Sequence, residues 1–423
     1  MKGDTIYALS SGAPPAALAV IRISGPRADA ALHHICRRVP EARRPALVEL
    51  REGDILLDRA IVVRFPGPKS ATGEDVVELH LHGGRAVVAV ALGALSRIEG
   101  LRQAEPGEFT RRAFETGRLD LAEAEGLADL LAAETEAQRR AALGAAQGAL
   151  SRLVETWRGQ ILGLSAALEA RLDFSDEGEV GEGWPAGWHE AREELAAEIR
   201  QFLQRPSSQR LRDGVRVVIA GPPNAGKSSL LNCLAGREAA ITAPTPGTTR
   251  DVIEVPLSLL GRPFVFTDTA GLRESGDGVE QEGVARATAR VADADIVLWL
   301  GAPGESPASA PSIDVASKCD LGAVQPGGLP VSSLTGEGMD RLVDAVVTTA
   351  DTLLPRADEV TANERQRGAL AEALAALDED GSDDLLIAAE ALRSARAAVD
   401  RITGRAGVED VLDDLFARFC IGK

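Results

Sequence analysis

The chain has 423 residues, of which 45% are apolar and 26% are charged, and its formal net charge is −18. This length predicts about two to four domains with cores of their own, and the composition is typical of a globular protein. The acidic balance argues against a general nucleic-acid binder, because phosphate contacts require Lys and Arg nearby. A nucleic-acid partner would have to meet a local basic patch or be held by a second protein.

The sequence predicts neither a membrane span nor a secretion signal. No run approaches about eighteen apolar residues, and the start, MKGDTIYALSSG, carries Asp4 and lacks an apolar core. The cysteines lie far apart without metal-type spacing, as is typical of a reducing cytosol: Cys36, Cys233, Cys319 and Cys420. We therefore expect a cytoplasmic protein.

Residues 1–117 combine short apolar runs, such as AALAVIRISG and DVVELHLHGG, with Gly/Pro turns and an Ala/Val-rich helix. This pattern predicts an N-terminal α+β domain. From residue 118 to 212 the pattern becomes helical, with one long helical stretch from Leu119 to Phe174 and a second amphipathic helix after an acidic linker. The first stretch carries apolar residues on one face every seven positions, as in packed long helices: Leu143, Leu150, Trp157 and Leu164, interleaved with Val154, Ile161 and Leu168. The second helix carries Trp188, Leu195, Ile199 and Phe202 on one side.

Strands and helices alternate from residue 213 to 353, beginning with the buried strand VRVVIA, and residues 354–423 are helical again. We therefore predict a helical domain in two segments, 118–212 and 354–423, with an α/β domain inserted between them. Such an insertion is reasonable because the termini of a compact domain usually lie close together. The predicted fold class is multidomain α/β, with an α+β domain, a discontinuous all-α domain and an inserted α/β domain.

The stretch VVIAGPPNAGKSSLLN has the G-x-x-x-x-G-K-S spacing between a strand and an apolar helix, the context of a phosphate-binding loop. Consecutive backbone N–H groups and the helix N-terminus attract a polyphosphate. We expect Lys227 to bridge the β- and γ-phosphates and the Ser228 hydroxyl to coordinate Mg²⁺. The alternative is a chance match in a glycine turn that caps a helix. The remaining nucleotide-binding candidates in this loop are Asn224, Ala225, Gly226 and Ser229.

The stretch FVFTDTAGL ends a strand with Asp268, Thr269, Ala270 and Gly271. A carboxylate at a strand tip can hold a magnesium-bound water, and a glycine N–H can sense the γ-phosphate. Between this motif and the loop, TPGTTRD offers Thr248 or Thr249 to complete magnesium coordination. The order of the three motifs predicts a phosphate-sensing switch.

Guanine selection is predicted from VASKCD, which follows an apolar strand. Asp320 can accept hydrogen bonds from the N1–H and the exocyclic amine of guanine, a donor pair that adenine lacks. Leaving this carboxylate unpaired would cost about 1–3 kcal/mol or more, which disfavours ATP. Lys318 would lie along the base and ribose, although a surface turn is the alternative for so short a motif. VSSLTGEG supplies Ser332, Ser333 and Leu334 as backbone contacts near the base.

These motifs resemble the translation-factor-like class of small Ras-like P-loop GTPases, whose base-reading motif is N-K-x-D. Ser317 stands where that class has asparagine, so we expect weaker nucleotide affinity with guanine preference kept through Asp320. More closely, GPPNAGKSSLLN, TPGTTRD, DTAGLRE, the terminal FCIGK and the N-terminal VIRISG, TGEDVVELHLHGG, PGEFTRRAF and GRLDLAEAE resemble the MnmE (TrmE) family of tRNA-modifying GTPases. The resemblance covers essentially the whole chain. The departures are Ser317 and the short GAPGESPASAP stretch.

The resemblance implies how GTP hydrolysis is catalysed. Leu272 stands where the Ras-like class has a water-orienting glutamine, and no arginine finger is evident. The resemblance implies a potassium ion that neutralises developing charge at the finger position, within a loop that orders when two GTPase domains face each other. Its implied ligands are Asn224, Thr248 and the backbone carbonyls of Ala243 and Thr245.

The resemblance also implies that Glu280 is the catalytic glutamate. The residues alone do not choose it over Glu282, Glu274 or Asp277, and a solvated acidic loop is the alternative.

For the N-terminal region, the resemblance implies homodimerisation and binding of a folate one-carbon donor such as 5-formyltetrahydrofolate. The implied contacts are Arg22 and Arg118 for folate carboxylates, Glu78 for the pterin donor edge, and Lys423 from a tail that reaches back to the site. The family often has lysine at the position of Arg118. Cys420 would lie beside the one-carbon donor, and a chemical role and simple apolar packing stand as equal alternatives.

The leading hypothesis is therefore a GTP hydrolase that uses Mg²⁺ and K⁺. With an FAD- and NADH-dependent partner of the MnmG (GidA) type, in a heterotetramer, it would add a carboxymethylaminomethyl-type group at C5 of the wobble uridine of certain tRNAs. A ribosome-assembly-type GTPase switch would carry a basic RNA-binding domain, which neither flank supplies. A metabolic ATPase or kinase is disfavoured by Asp320.

Overall fold

The structure, a computed structural model, describes residues 3–36, 38–173, 183–237, 254–268, 291–322, 327–356, 358–379, 384–407 and 409–423. Its contacts divide the chain into two compact units, one of Met1–Ala128 with Asp400–Lys423 and one of Asp129–Val399. The finer division at residues 117, 212 and 353 stays a prediction.

The first unit is built on a six-stranded sheet of order β3-β4-β5-β2-β1-β6, antiparallel except for the parallel pair β1 and β6. Alternation along the strands sends every second side chain into the core, so Ile21 and Ile23 are buried while Arg22 faces the opposite side. The elements are β1 (Thr5–Leu9), β2 (Leu18–Ser24), α1 (Ala28–Ile35), β3 (Ala46–Glu52), β4 (Ile55–Phe65), β5 (Val76–His82), α2 (Arg85–Ser96), β6 (Leu101–Gln103), α3 (Glu108–Glu115) and the start of α4 (Leu121–Ala132).

The predicted long helical stretch is divided into three helices, α4, α5 (Glu136–Ala146) and α6 (Ala149–Asp173). Thr135 starts α5 with a capping box, because its hydroxyl accepts from Gln138 N while the Gln138 side chain accepts from Thr135 N. Gly148, at a φ of 74° that favours glycine, separates α5 from α6. The seven-residue repeat is confirmed within α6, whose buried side chains are Leu150, Val154, Trp157, Ile161, Leu164 and Leu168.

Helices from before and after the second sheet pack together. The next elements are α7 (Trp188–Leu203), α8 (Gln209–Asp213) and, beyond the sheet, α10 (Met339–Asp351), α11 (Glu364–Asp378) and the start of α12 (Leu385–Thr403). α11 packs on α7, and Arg200 of α7 pairs with Asp378 of α11 at 2.7 Å. The ring centres of Trp157 and Phe202 lie 5.4 Å apart in an edge-on arrangement. Phe202 belongs to the apolar side predicted for α7, and it is buried. The discontinuous helical domain of the predicted fold class is confirmed.

The inserted α/β domain has a six-stranded sheet of order β12-β11-β10-β7-β9-β8. All its neighbours run parallel except the β8–β9 hairpin, so five strands end at one edge. Its elements are β7 (Val215–Ala220), α9 (Lys227–Arg237), β8 (Glu254–Leu259), β9 (Arg262–Asp268), β10 (Ile296–Trp299), β11 (Ser312–Ser317), a 3-10 turn (Cys319–Leu321) and β12 (Leu329–Val331).

The last helix, α13 (Glu409–Ala417), belongs to the first unit and packs on α3. Phe416 and Phe419 are buried there with Leu121 and Ala124. This anchors the C-terminal residues on the N-terminal unit. Among the helices in the described ranges, none combines the length and hydropathy that crossing a membrane would require.

Candidate functional site

The carboxyl ends of the parallel strands bring the predicted nucleotide-binding residues to one edge of the second sheet. β7 leads into the phosphate loop, β9 ends at Asp268 and β11 ends at Ser317. β12 leads into the loop that begins at Ser332. In open α/β sheets ligands bind in the crevice outside these strand ends, so the position of the four segments suits a nucleotide.

The phosphate loop, residues 221–226, has positive backbone φ angles at its two glycines and at Asn224. The φ angles of Gly221, Asn224 and Gly226 are 147°, 59° and 93°. A Cβ at Gly221 would lie 3.0 Å from Leu300, so the loop passes close to the neighbouring strand end. The loop opens into α9 at Lys227, as the motif predicts, and the free N–H groups of a helix start favour an anion.

Lys227 is only 7% exposed although it carries an ammonium group. Its Nζ donates to the carbonyl oxygens of Gly221 and Pro222 at 3.0 and 2.9 Å. A buried charge needs such partners, because desolvation without them is costly. The positive charge is therefore held inside the curve of the phosphate loop.

The Ser228 hydroxyl donates to the carboxylate of buried Asp268. These residues are forty positions apart and come from two different motifs. Their oxygens are the hard donors that Mg²⁺ prefers. The two side chains fit a magnesium ion, and they would hold it directly or through water.

The base-reading segment lies against the phosphate loop. Ser317 Oγ donates to Ala225 O at 2.6 Å, and Lys318 Nζ donates to Asn224 O at 2.7 Å. Asp320 follows in the 3-10 turn with its side chain exposed. Burial raises the pKa of the neighbouring Cys319 thiol above 9.0, and the Glu337 and Asp320 carboxylates raise it further, so this cysteine stays a thiol.

The three residues predicted after β12 differ in their surroundings. Ser332 is buried, and its Oγ accepts from the backbone N–H of Leu334 and Thr335 at 3.2 and 3.1 Å. Its hydroxyl therefore shapes the loop. Ser333 is half-buried, and the Leu334 side chain is 86% exposed.

Several predicted residues lie outside the described part of the chain. They are Ala243, Thr245, Thr248, Thr249, Thr269, Ala270, Gly271 and Glu280.

In the first unit, Arg22 and Glu78 are register partners on β2 and β5. Arg22 Nη2 donates to Glu78 Oε1 at 2.9 Å, and His80 Nε2 lies 3.3 Å from Glu78 Oε2. The guanidinium carbon of Arg22 lies 5.7 Å from the centre of the Phe109 ring. The predicted acid and base are thus one ion pair, which leaves Arg22 Nη1 and further carboxylate lone pairs for a ligand.

The tail ends beside the same residues. Ile421 forms a β-bridge with Pro106, and Phe109 N donates to Lys423 O at 3.2 Å. A Cβ at Gly422, whose φ is 99°, would lie 2.1 Å from Leu9 O, so only glycine fits this approach. Phe109 therefore contacts the tail through its backbone and Arg22 through its ring, and the folate site there stays a prediction.

The other two candidates in this unit are Arg118 and Cys420. Arg118 Nε donates to Ser70 O at 3.2 Å, on the loop between β4 and β5. Cys420 is exposed, unlike its neighbour Phe419.

Comparison with known proteins identifies the family. A family model of the MnmE helical domain matches residues 121–420, and a model of the GTP-binding protein TrmE N-terminus matches residues 5–118. The tRNA modification GTPase MnmE of Erythrobacter litoralis is 56% identical over 424 residues, which covers 99% of this chain and 100% of the relative. The chain belongs to the MnmE family of tRNA modification GTPases.

A second MnmE relative, from Rhizorhabdus wittichii, is 56% identical over 430 residues, covering 99% of this chain and 97% of the relative. Among solved structures, Era of Aquifex aeolicus bound to GDP and AlF4− is 26% identical with a TM-score of 0.26, and the match covers 38% of this chain and 66% of that chain. Membership of the MnmE family makes the chain a GTP-hydrolysing enzyme of tRNA modification, which requires GTP and Mg²⁺.

Sequence reasoning missed a partly buried network of charges in this MnmE-family chain. Arg112 of α3 contacts the carboxylates of Asp4, Glu74 and Glu108, and Arg102 contacts Asp4 and Glu108. The segment PGEFTRRAF shows that several charged residues are close in sequence, but it does not predict which of them pair. Their pairing joins positions from 4 to 112, which no local spacing reveals.

Proposed function

We propose that this chain is a potassium-dependent GTPase that acts with a flavin- and NADH-dependent partner to modify the wobble uridine of tRNAs. A folate would supply the one-carbon unit for a carboxymethylaminomethyl-type group at C5. The observation that carries the nucleotide part is the pairing of Ser228 with Asp268 beside buried Lys227. It brings Asp268, the first residue of the D-T-A-G motif, to the phosphate loop, where a phosphoryl-transfer site would need its Mg²⁺ ligands.

Within this proposal Lys227 neutralises the phosphates, Ser228 and Asp268 hold Mg²⁺, and Asp320 selects guanine. Mg²⁺ would add positive charge at the phosphate oxygens. The proposed catalytic base is Glu280. The proposed potassium ligands are Asn224, Ala243, Thr245 and Thr248. Of these, only Asn224 lies in the part of the chain that the structure describes, and it is exposed on the phosphate loop.

We propose that the chain forms a homodimer through the first unit. Leu47 and Ile61 are register partners on β3 and β4, and their side chains are 72% and 46% exposed. Leu18 is exposed on the same face of the sheet, which also carries Arg22 and Glu78. Large apolar side chains exposed together mark an interaction surface, and a second copy would cover them beside the proposed folate site.

In potassium chloride, the full chain should hydrolyse GTP faster than ATP by on the order of 10²-fold or more, because adenine leaves Asp320 unpaired. In sodium chloride the GTPase rate should fall by about tenfold or more, since the proposed potassium ion supplies the positive charge at the arginine-finger position. The specific rate should also rise with protein concentration if two GTPase domains must meet. Released phosphate measures the rates, and light scattering reports the mass of the chain alone and with its partner. Equal rates on GTP and ATP, or in the two salts, would refute the proposal.

Replacing Arg22 with alanine should weaken binding of 5-formyltetrahydrofolate by about 10- to 100-fold, because a hydrogen bond to a charged group contributes about 1.5–3 kcal/mol. Titration calorimetry measures the affinity. Arg59→Ala is the matched control, since Arg59 lies on the same face of the same sheet and is 67% exposed. Wild-type affinity in Arg22→Ala, or an equal loss in Arg59→Ala, would contradict the proposed site.

A further inference from the structure

Two consecutive residues at the end of β11 hold two consecutive carbonyl groups of the phosphate loop. The Ser317 hydroxyl donates to Ala225 O at 2.6 Å, and the Lys318 ammonium donates to Asn224 O at 2.7 Å. Asn224 and Lys318 both have left-handed backbones, with φ of 59° and 60°. Such conformations are uncommon outside glycine and persist where the surroundings hold them. The two contacts therefore hold the turn that aims the loop at its ligand.

The chemistry of a hydroxyl limits which further acceptors Ser317 can contact besides Ala225 O. A serine has one proton to donate, and here that proton goes to Ala225 O at a distance typical of a good O–H···O bond. The N7 atom of a purine is an acceptor, so contact with it would need the same proton. An asparagine at this position has two amide protons and can serve both acceptors. Ser317 can serve only one at a time.

We propose that Ser317 is a positioning residue for the phosphate loop and makes no contact with the guanine base. This inference rests on the proposed nucleotide site. Its hydroxyl fixes the Ala225 carbonyl on the side facing β11. The loop thereby keeps one backbone conformation, and its N–H groups stay arranged for a polyphosphate. Discrimination between bases then depends on Asp320, while Ser317 acts equally on every nucleotide that enters the loop.

The test removes the hydroxyl from the protein and the N7 acceptor from the ligand. Affinities for GTP and 7-deaza-GTP, in which carbon replaces N7, are measured by titration calorimetry with the full-length wild type, Ser317→Ala and Ser317→Thr. Hydrolysis during the titration is slowed by omitting potassium and working in sodium chloride at low temperature. Thermal unfolding of each variant confirms that the fold is kept.

Wild type should bind GTP and 7-deaza-GTP within twofold of each other. Ser317→Ala should weaken both by the same factor of about 3- to 10-fold, the worth of one neutral hydrogen bond. Ser317→Thr, which keeps the hydroxyl, should bind both like wild type.

Two outcomes overturn the inference. One is a wild type that prefers GTP over 7-deaza-GTP several-fold, with the preference lost in Ser317→Ala, because this means that the hydroxyl contacts N7. The other is an unchanged affinity in Ser317→Ala, which means that the tie to Ala225 does not matter. Failure of the wild type to bind either nucleotide would instead refute the proposed nucleotide site.

Discussion

GTP hydrolysis by the full chain should fall by about 10²–10³-fold when Lys227 is replaced by alanine, the loss typical of removing a preorganised group that stabilises transition-state charge. The reason is the placement of this one ammonium group. It is 7% exposed and held by Gly221 O and Pro222 O. In so dry a position its charge acts more strongly on a phosphate than it would in water. Phosphate release under saturating GTP measures kcat.

Lys227→Arg separates charge from shape. An arginine keeps the charge, but its planar and larger head group does not match a site built for a compact ammonium, so we expect this variant also to be impaired. Lys69→Ala is the matched control, because Lys69 is an exposed lysine of the first unit, and its hydrolysis rate should stay at the wild-type value. A folded Lys227→Ala variant within fivefold of the wild-type rate would contradict the role given to this residue.

The fold class and the nucleotide-binding edge of the second sheet could be predicted because their signals are local. The phosphate loop is one uninterrupted stretch between a strand and a helix, and the parallel order of the strands then brings Asp268 and Ser317 to it. The burial of Trp157 and its neighbours follows from the period of a single helix.

What could not be predicted depends on contacts between distant segments. The helical pattern of apolar residues continues past Thr135 and Gly148 without interruption. It therefore does not predict the capping box and the turn that divide this stretch into separate helices. The predicted backbone contact of Ser332 does not reveal what its hydroxyl does, which is to accept from the backbone N–H of Thr335 within its own turn. The sequence predicts only that serine at position 317 weakens nucleotide affinity, and the structure reveals that the Ser317 hydroxyl donates to Ala225 O.

The same holds for the charge network around Arg112. Arg112 is buried in α3, and its guanidinium donates to the carboxylates of Asp4, Glu74 and Glu108. These partners come from the start of the chain, the loop before β5 and the first turn of α3. One side chain therefore fastens three segments of the first unit.

Arg112→Met should destabilise the first unit by about 3 kcal/mol. The variant loses the guanidinium that pairs with Glu74, and it leaves Asp4 and buried Glu108 with Arg102 alone. Arg111→Met is the matched control. Arg111 is the adjacent residue on α3, but it is 39% exposed and pairs with exposed Asp413 and Glu115, so its loss should cost no more than about 1 kcal/mol. Urea unfolding followed by circular dichroism measures both. Equal midpoints for the two variants would show that the network contributes no more than a surface pair.

The charge network around Arg112 also determines how the stability of the first unit changes as the pH falls. Burial alone would raise the pKa values of Asp4 and Glu108, but hydrogen bonds from Arg102 and Arg112 outweigh it and hold both below their ordinary values of 3.8 and 4.5. Lowered carboxyl pKa values stabilise the fold fully above those ordinary values, and the contribution is lost as the pH falls through and below them. The free energy of unfolding of the wild type should therefore change little between neutral pH and about pH 4 and should fall more steeply below about pH 4. In Arg112→Met the native-state pKa values of these carboxyls move up toward their unfolded-state values, so the stability lost as the pH falls through about 4 should be smaller than in wild type. An equal loss of stability in both proteins over this pH range would mean that Arg112 does not hold these carboxylates in their charged form.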